Sequence, residues 1–276
     1  MIHRKLGVFV GVLASALFVL PALAADGPQP WELGLQAPAS ERMTQIIWMH
    51  DYLLYFITAI CIFVLLLLIW IMVRYNSRAN PVPSKNTHNT MLEVIWTGLP
   101  VLILVAIAIP SFRILYYQDT IPPADLTIKA IGKQWYWTYE YPDQDNLTFD
   151  ALMLADEKAK EAGEPRLLGT DNHVVVPVNK IVRVLTTGAD VIHSWSLPAF
   201  GVKMDAVPGR INETWFKADR EGIFYGQCSE LCGARHAFMP IEVEVVSQAR
   251  FDQWLEEAKK KFATLDAPDT RVATAH

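Results

Sequence analysis

Residues 53–73 read LLYFITAICIFVLLLLIWIMV, 21 positions without one charged side chain. As an α-helix this run spans about 31 Å, the depth of a bilayer's hydrocarbon core. It predicts a membrane span and decides that the chain is more than a soluble domain. A second run at 94–112, VIWTGLPVLILVAIAIPSF, holds 19 uncharged residues and includes Pro100 and Pro110. A spanning helix tolerates such breaks where neighbouring groups re-satisfy the freed carbonyls. Between the runs, residues 74–93 carry Arg74, Arg78 and Lys85 against one acid, Glu93. Short positive loops stay in the cytoplasm, so both termini are expected outside. The expectation is a helical hairpin over residues 26–113, with spans at about 50–73 and 93–116.

Upstream, His3, Arg4 and Lys5 precede an uncharged run at 6–25 that ends in Ala22-Leu23-Ala24 behind Pro21. This reads as an export signal, residues 1–25, removed after delivery, with a retained first span as the alternative. Export would carry the mature N-terminus outside, in agreement with the loop charges. A hydrophobic share of 52% and a mean hydropathy of +0.20 fit a chain that meets lipid.

Downstream the sequence changes character. From Ile114 on there are 24 Asp and Glu against 17 Lys and Arg, within a whole-chain balance of −5. An acidic domain suits a basic partner, although the same excess also serves solubility. Strand patterning recurs at 126–131, 135–141, 173–178, 181–187, 214–218, 222–227 and 241–246. About seven short strands with regular turns predict a sandwich or small barrel. The polar stretch 155–166 reads as a loop with a helical turn, and Phe251, Trp254, Leu255 and Phe262 recur at helical spacing. A terminal amphipathic helix follows, with a fraying tail in the last dozen residues.

Residues 226–239 read GQCSELCGARHAFM and carry the chemistry. Cys61 belongs to the first span; the other two cysteines, Cys228 and Cys232, stand four apart here with His236 and Met239. His193, expected at the end of an earlier strand, supplies a second imidazole. A disulfide would use the thiols and leave His236 and Met239 idle. A structural zinc site would use the two thiolates and two imidazoles tetrahedrally, with Met239 as filler. Copper would use the thioether as well. A mononuclear copper site needs a single thiolate, so the second suggests two ions bridged by both sulfurs. His50, His88 and His173 have no ligand partners at useful spacing and read as packing, surface or interfacial residues.

Several runs jointly resemble one family: Glu93-Val94-Ile95-Trp96-Thr97, Gln134-Trp135-Tyr136-Trp137, Asp190-Val191-Ile192-His193-Ser194-Trp195, Lys203-Met204-Asp205-Ala206-Val207-Pro208-Gly209-Arg210 and the segment from Cys228 to Met239. Over nearly its mature length the chain resembles subunit II of the haem-copper cytochrome c oxidases of bacteria and mitochondria. The resemblance implies a two-helix transmembrane hairpin followed by a cupredoxin-like Greek-key β-sandwich or barrel over 114–276, with a C-terminal helix. It implies a binuclear copper centre, CuA, on His193, Cys228, Cys232, His236, Met239 and the Glu230 backbone carbonyl. It further implies a magnesium ion shared with subunit I through the Glu230 side chain, and electron entry at Trp135 beneath cytochrome c. Glu140, Asp190 and Asp205 would belong to the docking face or its surroundings, though solvated surface acids would read the same. Trp137 reads more simply as strand packing. Glu93 would lie at a proton-channel entrance into subunit I, where an interfacial anchor is the plainer reading. Subunits I and III, cytochrome c and membrane lipid are the implied partners, and the bacterial inner membrane with an external copper domain is the implied location. The sequence carries no Cys-x-x-Cys-His run for a fused c-type haem. Quinol oxidase subunits II lack these ligands, and a copper carrier would not need Trp135.

Overall fold

The computed structural model describes residues 27–263. The expected export signal and fraying tail lie outside the described residues. Ser40 opens helix α1, Glu41–Arg74, by accepting the Met43 N–H on its Oγ at 3.0 Å, which satisfies one of the first-turn donors that have no helical partner. Asn89 does the same for α2, Thr90–Asp119, accepting from Leu92 N–H at 3.1 Å. Pro100 and Pro110 sit inside α2 without ending it. Both helices are long and apolar enough to cross a membrane, and their most apolar windows are exposed throughout. Tyr52 Oη donates to Ala106 O at 3.2 Å between them.

Both helices run past their apolar stretches on the side of the β domain, because their polar ends dock on it. Ala39 N–H donates to Ala199 O at 2.8 Å, and Asp219 N–H to Ala39 O at 3.1 Å. Trp215 Nε1 donates to Gln118 O at 3.2 Å. Hydropathy sees only the part of a helix that faces lipid; caps and docking contacts set the remainder.

The domain contains two five-stranded sheets. One holds β3 (Leu147–Ala151), β2 (Tyr136–Tyr141), β1 (Leu126–Lys133), β5 (Ile181–Gly188) and β8 (Asn212–Lys217) in that spatial order. The other holds β4 (Val174–Pro177), β10 (Pro240–Val246), β9 (Gly222–Cys228), β6 (His193–Leu197) and β7 (Val202–Ala206). β1 pairs with β5, and β4 with β10, in parallel, while the remaining pairs are antiparallel. A short helix, α3 (Asp156–Ala162), occupies the polar stretch after β3. The sequence pattern leaves out β3, β6 and β7. Each has only five residues, too few alternations to stand out, and pairing with longer neighbours holds them.

Between the sheets lie Trp137, Tyr139 and Tyr141 from β2, Trp195 from β6, Phe216 from β8 and Phe224 from β9, all buried. Each such side chain contributes roughly 1.5–3 kcal/mol by burial. Trp195 Nε1 donates to Tyr139 Oη at 3.2 Å, a hydrogen bond that joins the two layers at their centre. Helix α4, Gln248–Ala263, closes the open edge, with Phe262 stacked on Phe149 at 4.9 Å and Trp254 5.4 Å from Tyr141.

Candidate metal centre

Three chain segments meet at one end of the sandwich because of strand register. Trp195 of β6 stands opposite Cys228 of β9, and Gln227 of β9 opposite Pro240 of β10. The end of β9 and the starts of β6 and β10 therefore converge. His193 opens β6; the expectation that it ends an earlier strand is corrected, since the short strand it begins was not visible as a pattern. The connection from β9 to β10 carries the remaining candidates. It is pinned at both ends, by Ser229 N–H on Ser194 O at 3.0 Å and by Cys228 N–H on Met239 O at 3.3 Å.

Cys228 and Cys232 are buried free thiols with their sulfurs 3.8 Å apart, far beyond a disulfide bond length. His193 Nδ1 lies 3.8 Å from Cys228 Sγ, and His236 Nδ1 lies 3.5 Å from Cys232 Sγ. Each sulfur thus has its own imidazole. Met239 Sδ is 3.5 Å from Cys232 Sγ, and the Glu230 carbonyl is 3.4 Å from Cys228 Sγ. The ligand atoms of His193, Cys228 and Cys232 all lie within 4.8 Å of one another, while His236 stands outside that group. Thiolate, imidazole, thioether and carbonyl together form a soft donor set of the kind copper favours. Metal–sulfur bonds are about 2.3 Å, so one ion can touch both sulfurs across this gap.

The electrostatics separate the two thiols. Burial pushes Cys228 up, but hydrogen bonding with His193, the backbone at Glu230 and Ser194, and His236 brings it down to about 6. Cys232 is pushed up to about 12, first by burial and then by the neighbouring Cys228 charge. The protein alone therefore makes one thiolate readily and resists the second, which only an added cation would release. His193 is lowered by burial yet raised overall by its contacts with Cys228 and Asp190.

A polar frame holds the ligands. Asp190 Oδ1 lies 2.8 Å from His193 Nε2, and Oδ2 accepts the Gln134 N–H at 2.7 Å. A carboxylate on the far ring nitrogen fixes which nitrogen faces the metal. Asp190 thus braces the His193 ring while its own side chain stays about one third exposed. Gln134 Nε2 and Trp135 Nε1 both donate to Cys232 O, at 2.8 and 3.2 Å. Trp135 is half-buried, with its indole one hydrogen bond from the backbone of Cys232, a candidate ligand. Trp137 is fully buried and meets the His193 ring edge-on at 6.0 Å, which makes it a packing residue of the site.

The other candidates lie apart. Glu140 pairs with Lys129 across β1 and β2 at 2.8 Å. Asp205 is exposed on β7, opposite Ser194. The Glu230 side chain is exposed. Glu93 sits in the first turn of α2, at the opposite end of the helix from the domain, beside a cavity lined by Thr90, Val94, Thr97 and Gly98. His173 lies between two acids, with Nε2 3.1 Å from Glu242 Oε1 and Nδ1 3.6 Å from Glu244 Oε2. Glu242 Oε1 has no aligned hydrogen bond, so its contact with His173 is an ion pair only while the imidazole is protonated.

Two glycines matter that sequence reasoning passed over. A Cβ on Gly132 would stand 2.7 Å from His193 Cγ and Cδ2, so only glycine leaves room for the ring. Its place in the otherwise side-chain-rich strand LTIKAIGK is the signal that could have found it. Gly233 has φ +114° beneath the Trp135 indole, a conformation that side chains avoid. Gln134 was visible only as part of the QWYW run.

Comparison with known proteins meets this geometry from outside. The family described as cytochrome C oxidase subunit II, periplasmic domain, matches residues 126–246, and its transmembrane-domain counterpart matches residues 28–114. A probable cytochrome c oxidase subunit 2 from Rickettsia bellii is 52% identical over 236 residues, covering 86% of this chain and 87% of that protein. Cytochrome c oxidase subunit 2 of Cereibacter sphaeroides is 50% identical over 249 residues, 84% of this chain and 82% of that one. The crystal structure of the periplasmic domain of cytochrome oxidase subunit II from Bradyrhizobium japonicum is 63% identical, covers 52% of this chain and 99% of its own, and aligns with a TM-score of 0.49. Matches over both the helical hairpin and the β domain, at half identity along most of the chain, place it: it belongs to the cytochrome c oxidase subunit II family.

Proposed function

We propose that this chain is the electron-entry subunit of a respiratory oxidase, accepting electrons from cytochrome c at a binuclear copper centre and passing them to haem in subunit I, where oxygen is reduced to water. The observation that carries this reading is the pair of unbonded sulfurs 3.8 Å apart, each facing its own imidazole. Bound there, copper would supply one-electron redox chemistry.

The chain's own residues do the remainder. His193, Cys228, Cys232 and His236 hold the ions, and Met239 and the Glu230 carbonyl complete them as weak ligands. Asp190 fixes the His193 ring, and burial of both thiols and Met239 keeps water from the sulfurs. Trp135 offers a partly exposed π-system bonded to the Cys232 backbone, which suits it to receive electrons from outside. The exposed Glu230 carboxylate would reach a magnesium ion shared with subunit I. Glu140 and Asp205, and the acidic domain as a whole, would face a basic cytochrome c, and Glu93 would admit protons toward subunit I. Residues 26–113 would anchor the chain in the inner membrane beside subunits I and III, with residues 114–276 and both termini in the periplasm, after removal of residues 1–25.

Elemental analysis and visible spectroscopy of the purified oxidase test this. Two coppers in this chain with delocalised thiolate absorption support it. One exchangeable copper would indicate a carrier, and zinc or a disulfide a structural role; each would overturn it.

A further inference from the structure

Residues 152–173 lead from the end of β3 through α3 to the start of β4, and so pass from one sheet to the other. The segment is folded on itself: Leu154 N–H donates to Gly169 O at 3.0 Å, Met153 bridges to Thr170, and Arg166 Nε donates to Asp156 Oδ2 at 2.8 Å. It lies over Tyr225 of β9 and Glu242 of β10, a directly opposed pair that points away from the face on which Phe224 packs, because strand side chains alternate. Two acids fasten it there. Glu242, whose side chain is fully buried, accepts the Thr170 N–H on Oε2 at 2.6 Å. Thr170 Oγ1 lies 3.0 Å from that oxygen and 3.0 Å from Asn172 O. Glu164, just past α3, accepts from the Tyr225 hydroxyl.

The Glu242 fastening depends on one proton. Its other oxygen, Oε1, has no hydrogen-bond partner and lies 3.1 Å from His173 Nε2, at the foot of the segment. While the imidazole is charged, the buried carboxylate has a counter-charge. Once the imidazole is neutral, an unanswered charge is left in the interior, and a buried charge without a partner is costly. Water relieves it only if Thr170 lifts away. The ring is also faced by Glu244 of β10, 3.6 Å from Nδ1, by Glu164, by Asp171 of the segment itself, and by Glu257 and Lys261 of α4, which line a cavity with it. Burial alone would discharge the ring, but Glu244, Glu242 and Glu164 keep its proton to higher pH than the ordinary value of about 6.5. Leu168 of the segment lines, with Gln227, Cys228 and Ser229, a cavity of about 210 Å³ beside the candidate ligands. β4 need not move with the segment, since β10 pairs with it and Tyr141 Oη accepts the Val175 N–H at 3.0 Å. We propose that residues 152–173 form a proton-locked latch over this flank of the metal centre, closed while His173 is charged against Glu242 and lifted when that charge is lost. Such an opening is local and leaves the sandwich intact.

The test is hydrogen exchange of the intact oxidase, read by mass spectrometry across about pH 6–9 and corrected for the intrinsic pH dependence of exchange. In the wild type, peptides over 152–173 should lose at least about tenfold in protection as pH rises, while β6 and β9 keep theirs. His173→Gln has no charge to lose and should leave the segment open throughout. Glu242→Gln has no buried charge to answer and should keep it closed throughout. Opposite signs in the two variants separate a latch from general destabilisation. At pH 8, a chelator should extract copper several-fold more slowly from Glu242→Gln than from the wild type; this arm rests on the copper reading above, whereas the exchange measurement needs no metal. Protection of 152–173 that is independent of pH in the wild type, or lost alike in both variants, would overturn the latch. Equal extraction of bound copper from wild type and Glu242→Gln would overturn its guarding of the metal centre.

Discussion

At Cys228 and Cys232 the chemistry turns on the second proton. Despite burial, hydrogen bonding lowers Cys228, while burial and the neighbouring Cys228 charge raise Cys232, so the pair resists losing its second proton and a bound cation favours that loss. Cys228→Ser should therefore abolish a two-copper centre by elemental analysis, whereas Met239→Leu should keep both ions and shift their potential, because a weak axial ligand tunes rather than holds. Gly132→Ala should displace the His193 ring, reducing copper content and lowering stability by about 1–3 kcal/mol, seen by copper assay and thermal melt of the same sample. His173 governs a separate pH response. Burial alone would lower it, but its hydrogen bond to Glu244 and the charges of Glu242, Glu244 and Glu164 raise it overall. A raised folded value gives stability that is present below about 6.5 and lost as pH climbs through the raised value. Burial raises Glu242, so its ionisation works in the same direction, while Glu244, held low by His173, loses its contribution only toward acid. The unfolding midpoint should fall as pH rises above the ordinary imidazole value of about 6.5, and the fall should be flatter in His173→Gln. From the sequence, the candidate cluster was legible because Cys, His and Met crowd one short segment. Gly132 was not, since its closeness to His193 comes from β1 and β6 packing face to face from opposite sheets, and Asp190's bracing of the ring was not, since it depends on the turn that leads into the short strand β6.

The helices and strands divide by the solvent that shaped them. The apolar runs of α1 and α2 announce themselves because lipid demands length and hydropathy together. Their polar ends, tied to Ala199, Thr214 and Trp215, carry no such pattern. Short strands such as β6 are stabilised by neighbours rather than by their own alternation. Glu93 belongs to this scale, since α2 holds it about 40 Å from the β domain. Glu93→Ala should slow proton-dependent turnover and leave copper content unchanged; equal turnover would reduce Glu93 to an interfacial anchor.

For the molecule as a whole, charge decides the encounter. The segment from Ile114 on is acidic, with 24 acids against 17 bases, and attraction for a basic donor over such a surface is screened within about 8–10 Å at physiological salt. Turnover with a basic cytochrome c as donor should fall as ionic strength rises, mostly through slower association, whereas a neutral chemical reductant should show no such dependence. The bond from the Trp195 indole to Tyr139 has another consequence. It crosses from one sheet to the other with both rings almost wholly buried, so no fraying edge or loop motion can reach that proton. In heavy water it should be among the last to be replaced by deuterium, and its rate would serve as a clock for complete opening of the sandwich.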